Sequence, residues 1–208
     1  MAGVPLTIMK AQRAALLRTL PPPVFLLCDI QERFRSLIHG MDEVVHTAGT
    51  LCSAAKVLGS PLLVTEQYSK AFGHTVPELA AHVSGSVLGR AVEKKQFSML
   101  VPEVRAAVGG ASSFVLFGIE AHVCVQQTAM ELLGAGSLVY VVADGVSSQR
   151  PVDRDRALAL LAAMGANVST LESVLLNCVG SADEPTFKAV SKLLIEHNKT
   201  RPAPPRLT

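Results

Sequence analysis

The stretch FVLFGIEAHVCVQQTAMELL, residues 114–133, changes its apolar period midway. Its first half, Phe114 to Ile119, is a continuous apolar run, as in a strand covered on both faces. Its second half places Val125, Ala129, Leu132 and Leu133 at helical spacing. A buried strand that turns sharply into a helix is half of a βαβ unit, and such units build parallel sheets with right-handed crossovers. Cys124 falls where the helix begins. There the free backbone N–H groups and the positive end of the helix dipole favour thiolate over thiol, and the same donors can receive an oxyanion. The competing reading is a small buried apolar residue, the commoner fate of a cysteine.

The same strand pattern recurs along the chain: VFLLCDI at 24–30, PLLVT at 61–65 and LVYVVA at 138–143, with shorter candidates at 91–93 and Asn167–Thr170. Helical segments separate them. Met41-Asp42-Glu43 reads as a cap and acidic first turn, and Val44, Ala48, Leu51, Ala55 and Leu58 mark one face of a helix that Gly59 ends; Cys52 packs on that face. Pro102 and Pro151 each open a further helix, and Phe187, Val190 and Leu194 mark a last one. Asp144-Gly145 reads as a turn after the fifth strand, and the Gly73–Pro77 loop is placed to line a site. About six strands alternating with helices predict an α/β fold, a three-layer αβα sandwich around a mostly parallel sheet.

A chain of 208 residues with 49% hydrophobic and 17% charged residues suits one such domain. It is assigned to residues 24–197, between an N-terminal segment, 1–23, and a Pro-rich tail, 198–208. The N-terminal segment carries Lys10, Arg13 and Arg18, no acid, and ends in Pro21-Pro22-Pro23. It reads either as an ordinary helix or tail, which leaves the protein cytoplasmic, or as a mitochondrial presequence. Four scattered cysteines without a CxxC pair point to a reducing compartment. A net charge of +2 and 4% aromatic residues give no footprint of a nucleic-acid partner. No apolar run reaches the roughly 18 residues of a membrane span.

Asp29, Lys94 and Cys124 each stand at or just beyond the C-terminal end of a predicted strand. In a parallel sheet they share one rim, where open α/β sheets bind ligands. An Asp there can take a thiol proton while an ammonium steadies the thiolate. Lys95 is adjacent and faces the other way, as neighbouring strand residues do. The chain has no GxSxG elbow, no Walker A loop, no GxGxxG after a strand and no HExxH. His74 and His122 lie in loops that reach the rim, although His122 could equally face a neighbouring subunit or solvent.

DIQERF (29–34), EKKQFSML (93–100) and GIEAHVCVQQTA (118–129) resemble the three signature segments of the isochorismatase-like cysteine hydrolases, in the same order and spacing, over about residues 24–197. Within that family, VTEQY (64–68), TVPEL (75–79), FSM (97–99) and GIEA (118–121) look closest to the isochorismatase domain-containing protein 2 subgroup. The resemblance implies a Rossmann-like sheet and a catalytic triad with Asp29 as base, Lys94 as its cationic partner and Cys124 as nucleophile. It also implies a cis peptide between Ile119 and Glu120, and an oxyanion hole formed by the backbone N–H groups of Glu120 and Cys124. Gln31, Phe34, Gln67, Tyr68, His74 and His122 are candidates for the substrate pocket. Nicotinamidases of this family bind a metal through an Asp and His after the second strand. Glu66-Gln67-Tyr68-Ser69 stands there instead, so no metal and no cofactor are expected. The implied function is hydrolysis of a small amide or ester by a homo-oligomeric enzyme. The alternative is a protein that keeps the fold and the triad but serves as a binding or scaffold module.

Overall fold

The computed structural model describes residues 21–202. The segment read as a possible presequence lies outside the described residues apart from its three prolines, as does the tail beyond Pro202. The elements run β1 (Val24–Cys28), α1 (Met41–Leu58), β2 (Leu62–Gln67), α2 (Ser69–Phe72), α3 (Ala80–Ser84), β3 (Val92–Lys94), α4 (Pro102–Val108) and β4 (Ser113–Ile119). A five-residue π-type turn, Ala121–Val125, leads into α5 (Gln126–Gly134). Then follow β5 (Leu138–Ser147), α6 (Pro151–Met164), β6 (Asn167–Ser169), α7 (Leu171–Val179) and α8 (Phe187–Thr200).

The six strands form one sheet in the order β3-β2-β1-β4-β5-β6, and every neighbouring pair is parallel. The chain builds outward from β1 to β3, then crosses back to lay β4 on the other side of β1. That reversal opens a crevice at the C-terminal ends of β1 and β4, where ligands settle in open α/β sheets. Strand alternation sends successive side chains to opposite layers. Phe25, Leu27, Val115, Phe117, Tyr140 and Val142 pack with α1, α7 and α8. Leu26, Cys28, Leu63, Phe114, Leu116, Val139 and Val141 pack with Met99, Val104, Val125, Ala129, Leu132 and Leu161 on the other side. The αβα layering read from the apolar runs is thus present.

Four local expectations change. β2 continues through Glu66 and Gln67, so both are held by the sheet. β3 is shifted by one residue and ends on Lys94 itself. β5 does not turn at Asp144-Gly145 but runs on to Ser147 past a register irregularity. Asp144 instead accepts a 2.8 Å hydrogen bond from the Leu171 N–H at the start of α7, one of the donors a helix start leaves without an internal partner. Helix α1 is entered from Gly40, whose φ of 64° suits glycine, and has no side-chain cap.

Gly118 matters most for the crevice. Its φ is 119°, and a Cβ there would lie 2.1 Å from the Cys28 carbonyl oxygen. Only glycine lets β4 come this close to the end of β1. Among the described residues no helix is long and apolar enough to cross a membrane.

Candidate active site

Asp29 follows β1 directly and adopts φ 51°, a left-handed conformation that aspartate tolerates better than most residues. Its buried carboxylate is held from two sides. One oxygen accepts from the Thr65 hydroxyl at 2.8 Å, and the other lies 2.6 Å from the Lys94 Nζ. Lys94 closes the edge strand β3, opposite Gln67 in register. Its ammonium donates to Gln67 Oε1 at 2.7 Å and to the Phe97 carbonyl at 2.9 Å, and lies 3.5 Å from Cys124 Sγ. Burial alone would disfavour that charge, but the acidic groups around it, Cys28, Asp29 and Cys124, hold the lysine above its ordinary pKa. A buried ion pair is tolerated where further hydrogen bonds satisfy both partners, as they do here.

Cys124 sits in the π-type turn, just ahead of α5 rather than at its first residue. The Val123 and Val125 N–H groups both donate to the Glu120 carbonyl, at 3.1 and 3.2 Å. The Ile119–Glu120 peptide is cis. The Thr128 hydroxyl donates to the Cys124 carbonyl at 2.6 Å and accepts the Met99 N–H at 2.9 Å, tying the 97–100 segment to the cysteine turn.

A cavity of about 330 Å³ opens over Asp29 and Cys124. Phe34, Leu37, Phe72, Phe97, Ile119 and Val123 give it apolar walls, and Gln67, Glu120 and Gln149 give it polar ones. Phe34 stacks on Phe72 with centroids 4.8 Å apart. Of the pocket residues expected from sequence, Phe34 and Gln67 are in this lining. Gln31 stands behind it, bridging Gln67 N–H at 2.7 Å and the Gly73 carbonyl at 2.6 Å. Tyr68 faces outward beneath the Lys95 ammonium. His74 projects into solvent with its side chain 83% exposed and bonds to Glu66 at 3.0 Å, and His122 pairs with the Ser148 hydroxyl at 3.0 Å. Thr65, Phe97, Val123 and Gln149 were not singled out in the sequence. Thr65 had one signal, its place at the C-terminal end of a predicted strand; Gln149 reaches the site only through the extended β5.

Cys28, Asp29 and Cys124 bring three potential metal-ligand atoms within 4.8 Å of one another. The Lys94 ammonium already takes the cation position against this carboxylate. At the end of the second strand, Glu66 accepts from the Thr75 N–H at 2.7 Å and its hydroxyl at 2.8 Å. Burial raises the Glu66 pKa, but these bonds and His74 outweigh it and hold the carboxyl below its usual range. A larger groove, about 500 Å³, runs between α1 and α8 and contains His46, His82 and His197. Its lining holds neither a thiol nor a buried ion pair.

A buried carboxylate, an ammonium and a thiol in a chain, at the switch point of a parallel sheet, define an α/β protein equipped for acid–base and nucleophilic chemistry. The isochorismatase domain family model matches residues 23–173, and the chain belongs to that family. It is 43% identical over 176 residues to isochorismatase domain-containing protein 2 of Xenopus laevis, covering 83% of each chain. To isochorismatase domain-containing protein 1 of Danio rerio it is 42% identical over 174 residues, 82% of this chain, and it spans 60% of that protein's length. A solved structure of MAR1 ribonuclease from Caenorhabditis elegans superposes with a TM-score of 0.81 at 38% identity, over 89% of this chain and 94% of that one.

The two adjacent lysines separate cleanly. Lys94→Met leaves Asp29 buried without its partner and is expected to cost about 3–5 kcal/mol in urea unfolding. Lys95→Ala removes an exposed side chain and is expected to change stability by less than about 0.5 kcal/mol. Equal effects would contradict Lys94 as the buried partner of Asp29.

Proposed function

We propose that the chain is a metal-independent cysteine hydrolase of small amides, esters or related acyl compounds. The observation that carries this reading is the continuous path from Asp29 to Lys94 to Cys124, 2.6 and 3.5 Å, whose carboxylate and thiol ends line a cavity while the ammonium lies buried behind them. Cys124 gives its proton to Asp29, and the thiolate pairs with the Lys94 ammonium. The sulfur adds to the acyl carbon while the N–H groups of Glu120 and Cys124 receive the oxyanion. Asp29 returns the proton to the departing amine or alcohol, leaving a thioester. Water, deprotonated by Asp29, then cleaves the thioester, and the acid leaves with the thiol restored. Phe34, Phe72, Phe97 and Val123 suit an uncharged acyl group, and the cavity volume limits it to a small molecule.

The Caenorhabditis elegans relative described as a ribonuclease supplies a second reading, cleavage of RNA. It is less well supported for this chain. Phosphates are held by cationic side chains and helix starts, whereas the charged groups lining this cavity, among the described residues, are Asp29 and Glu120.

We also propose that the chain self-associates. Met130 on α5 and Val152, Leu160 and Met164 on α6 are each more than a third exposed, and exposed apolar side chains that gather into one patch mark an interaction site. Light scattering at micromolar concentration is expected to give a multiple of the 22.0 kDa chain mass; that mass alone would refute self-association.

The catalytic proposal is tested by a panel of small amides and esters with an RNA arm, run against wild type and Cys124→Ala. Turnover of an acyl compound by wild type, lost in the variant with the fold intact, is the expected result. RNA cleavage lost in the variant would favour the second reading. Turnover that survives Cys124→Ala would overturn the assignment of the nucleophile.

A further inference from the structure

The proposed mechanism leaves unused a buried thiol beside the site, Cys28. It ends β1, is fully buried, and packs in the same apolar layer as Cys124. Its sulfur lies within 4.8 Å of Cys124 Sγ and 3.6 Å from Asp29 Oδ2, to which it donates. Cys124 is 7% exposed and lines the cavity, whereas Cys28 is fully buried and outside its lining. A small oxidant therefore meets Cys124 first, with a second thiol and a proton acceptor already beside it. The other described cysteines, Cys52 and Cys178, belong to the opposite layer of the domain.

We propose that Cys28 is the resolving thiol of a reversible redox switch, closing a Cys28–Cys124 disulfide when a hydroperoxide oxidises Cys124. This rests on the reading of Cys124 as the reactive thiol and adds its regulation. The Cys124 thiolate attacks the peroxide oxygen, the O–O bond breaks, and Cys124 sulfenic acid forms as hydroxide or alkoxide leaves. The Cys28 sulfur then attacks the Cys124 sulfur. Its proton passes to Asp29, the S–O bond breaks, and the hydroxide that leaves takes that proton to become water. The net change is one thiol and one sulfenic acid to one disulfide and one water.

A disulfide needs sulfurs about 2.05 Å apart, and the two thiols start within 4.8 Å of each other, so closure requires the side chains and the turn that carries Cys124 to move together. The bond withdraws Cys124 from Lys94 and silences the site, and it shields Cys124 from irreversible oxidation to sulfinic acid. A dithiol reductant reverses it by attacking the Cys124 sulfur, the one that faces the cavity, and releasing Cys28.

The test exposes the full chain to hydrogen peroxide, blocks free thiols with iodoacetamide, and maps peptides by mass spectrometry without reduction. The expected product is a Cys28–Cys124 crosslinked peptide lighter by two hydrogens than the two thiol peptides, with Cys52 and Cys178 alkylated. Dithiothreitol restores alkylation of Cys124. In Cys28→Ser the same peroxide carries Cys124 to sulfinic or sulfonic acid, and dithiothreitol restores nothing. The proposal is overturned if wild type shows Cys124 as sulfinic acid with Cys28 free, a crosslink to another cysteine, or no reaction at Cys124. If Cys28→Ser does not fold, the wild-type peptide map alone decides. The readout does not depend on turnover: a chain that crosslinks but hydrolyses no panel compound loses only the hydrolase reading, and one that hydrolyses but never crosslinks loses only this proposal.

Discussion

The ion pair between Lys94 and Asp29 is the constraint on which the site depends. Two opposite charges removed from water are costly, and the cost is offset only when geometry and surrounding hydrogen bonds are good. Here Thr65, Gln67 and the Phe97 carbonyl complete the coordination, so β2, β3 and the 97–100 segment are all recruited to hold one carboxylate and one ammonium. That arrangement places a fixed positive charge 3.5 Å from a thiol that lines a small cavity.

The fold supplies the rest by topology. Because β4 returns to the side of β1 opposite β2, the end of β1 meets the turn after β4, and Asp29 faces Cys124 across the crevice. Gly118 lets the two strand ends approach. The cysteine turn is then locked by Thr128, which joins the Cys124 carbonyl to the Met99 N–H. The groups that would do chemistry therefore stand on strand ends and a short braced turn, not on long loops, which favours precise positioning.

Much of this was legible in the sequence because it is written in local period. The four longer apolar runs became β1, β2, β4 and β5, and Asp29, Lys94 and Cys124 share one rim because parallel strands end on one edge. What was not legible depends on long-range geometry. The extension of β5 past Asp144 and Gly145 rests on Val146 and Ser147 pairing with Gly118 and Ile119 of β4, which overrides the turn preference of an Asp-Gly pair. His74 bonds to Glu66 of β2 with most of its ring in solvent and is not in the cavity lining, a placement that its loop position does not reveal. Gln31 became a brace for Gln67 instead of a wall, since a buried amide satisfies itself on nearby backbone. The closeness of Cys28 and Cys124 is likewise invisible to spacing, because it arises across two strands far apart in sequence.

Asp29 and Lys94 are proposed to activate Cys124. Burial raises the Cys52 and Cys178 thiols to about 12, which makes them slow internal controls. The direct measurement is the rate of iodoacetamide labelling at each cysteine at neutral pH, in wild type and in Asp29→Asn. The account predicts that Cys124 labels fastest in wild type and is slowed selectively in Asp29→Asn. Equal, slow labelling of all the cysteines in wild type, or a Cys124 rate unchanged by Asp29→Asn, would contradict it.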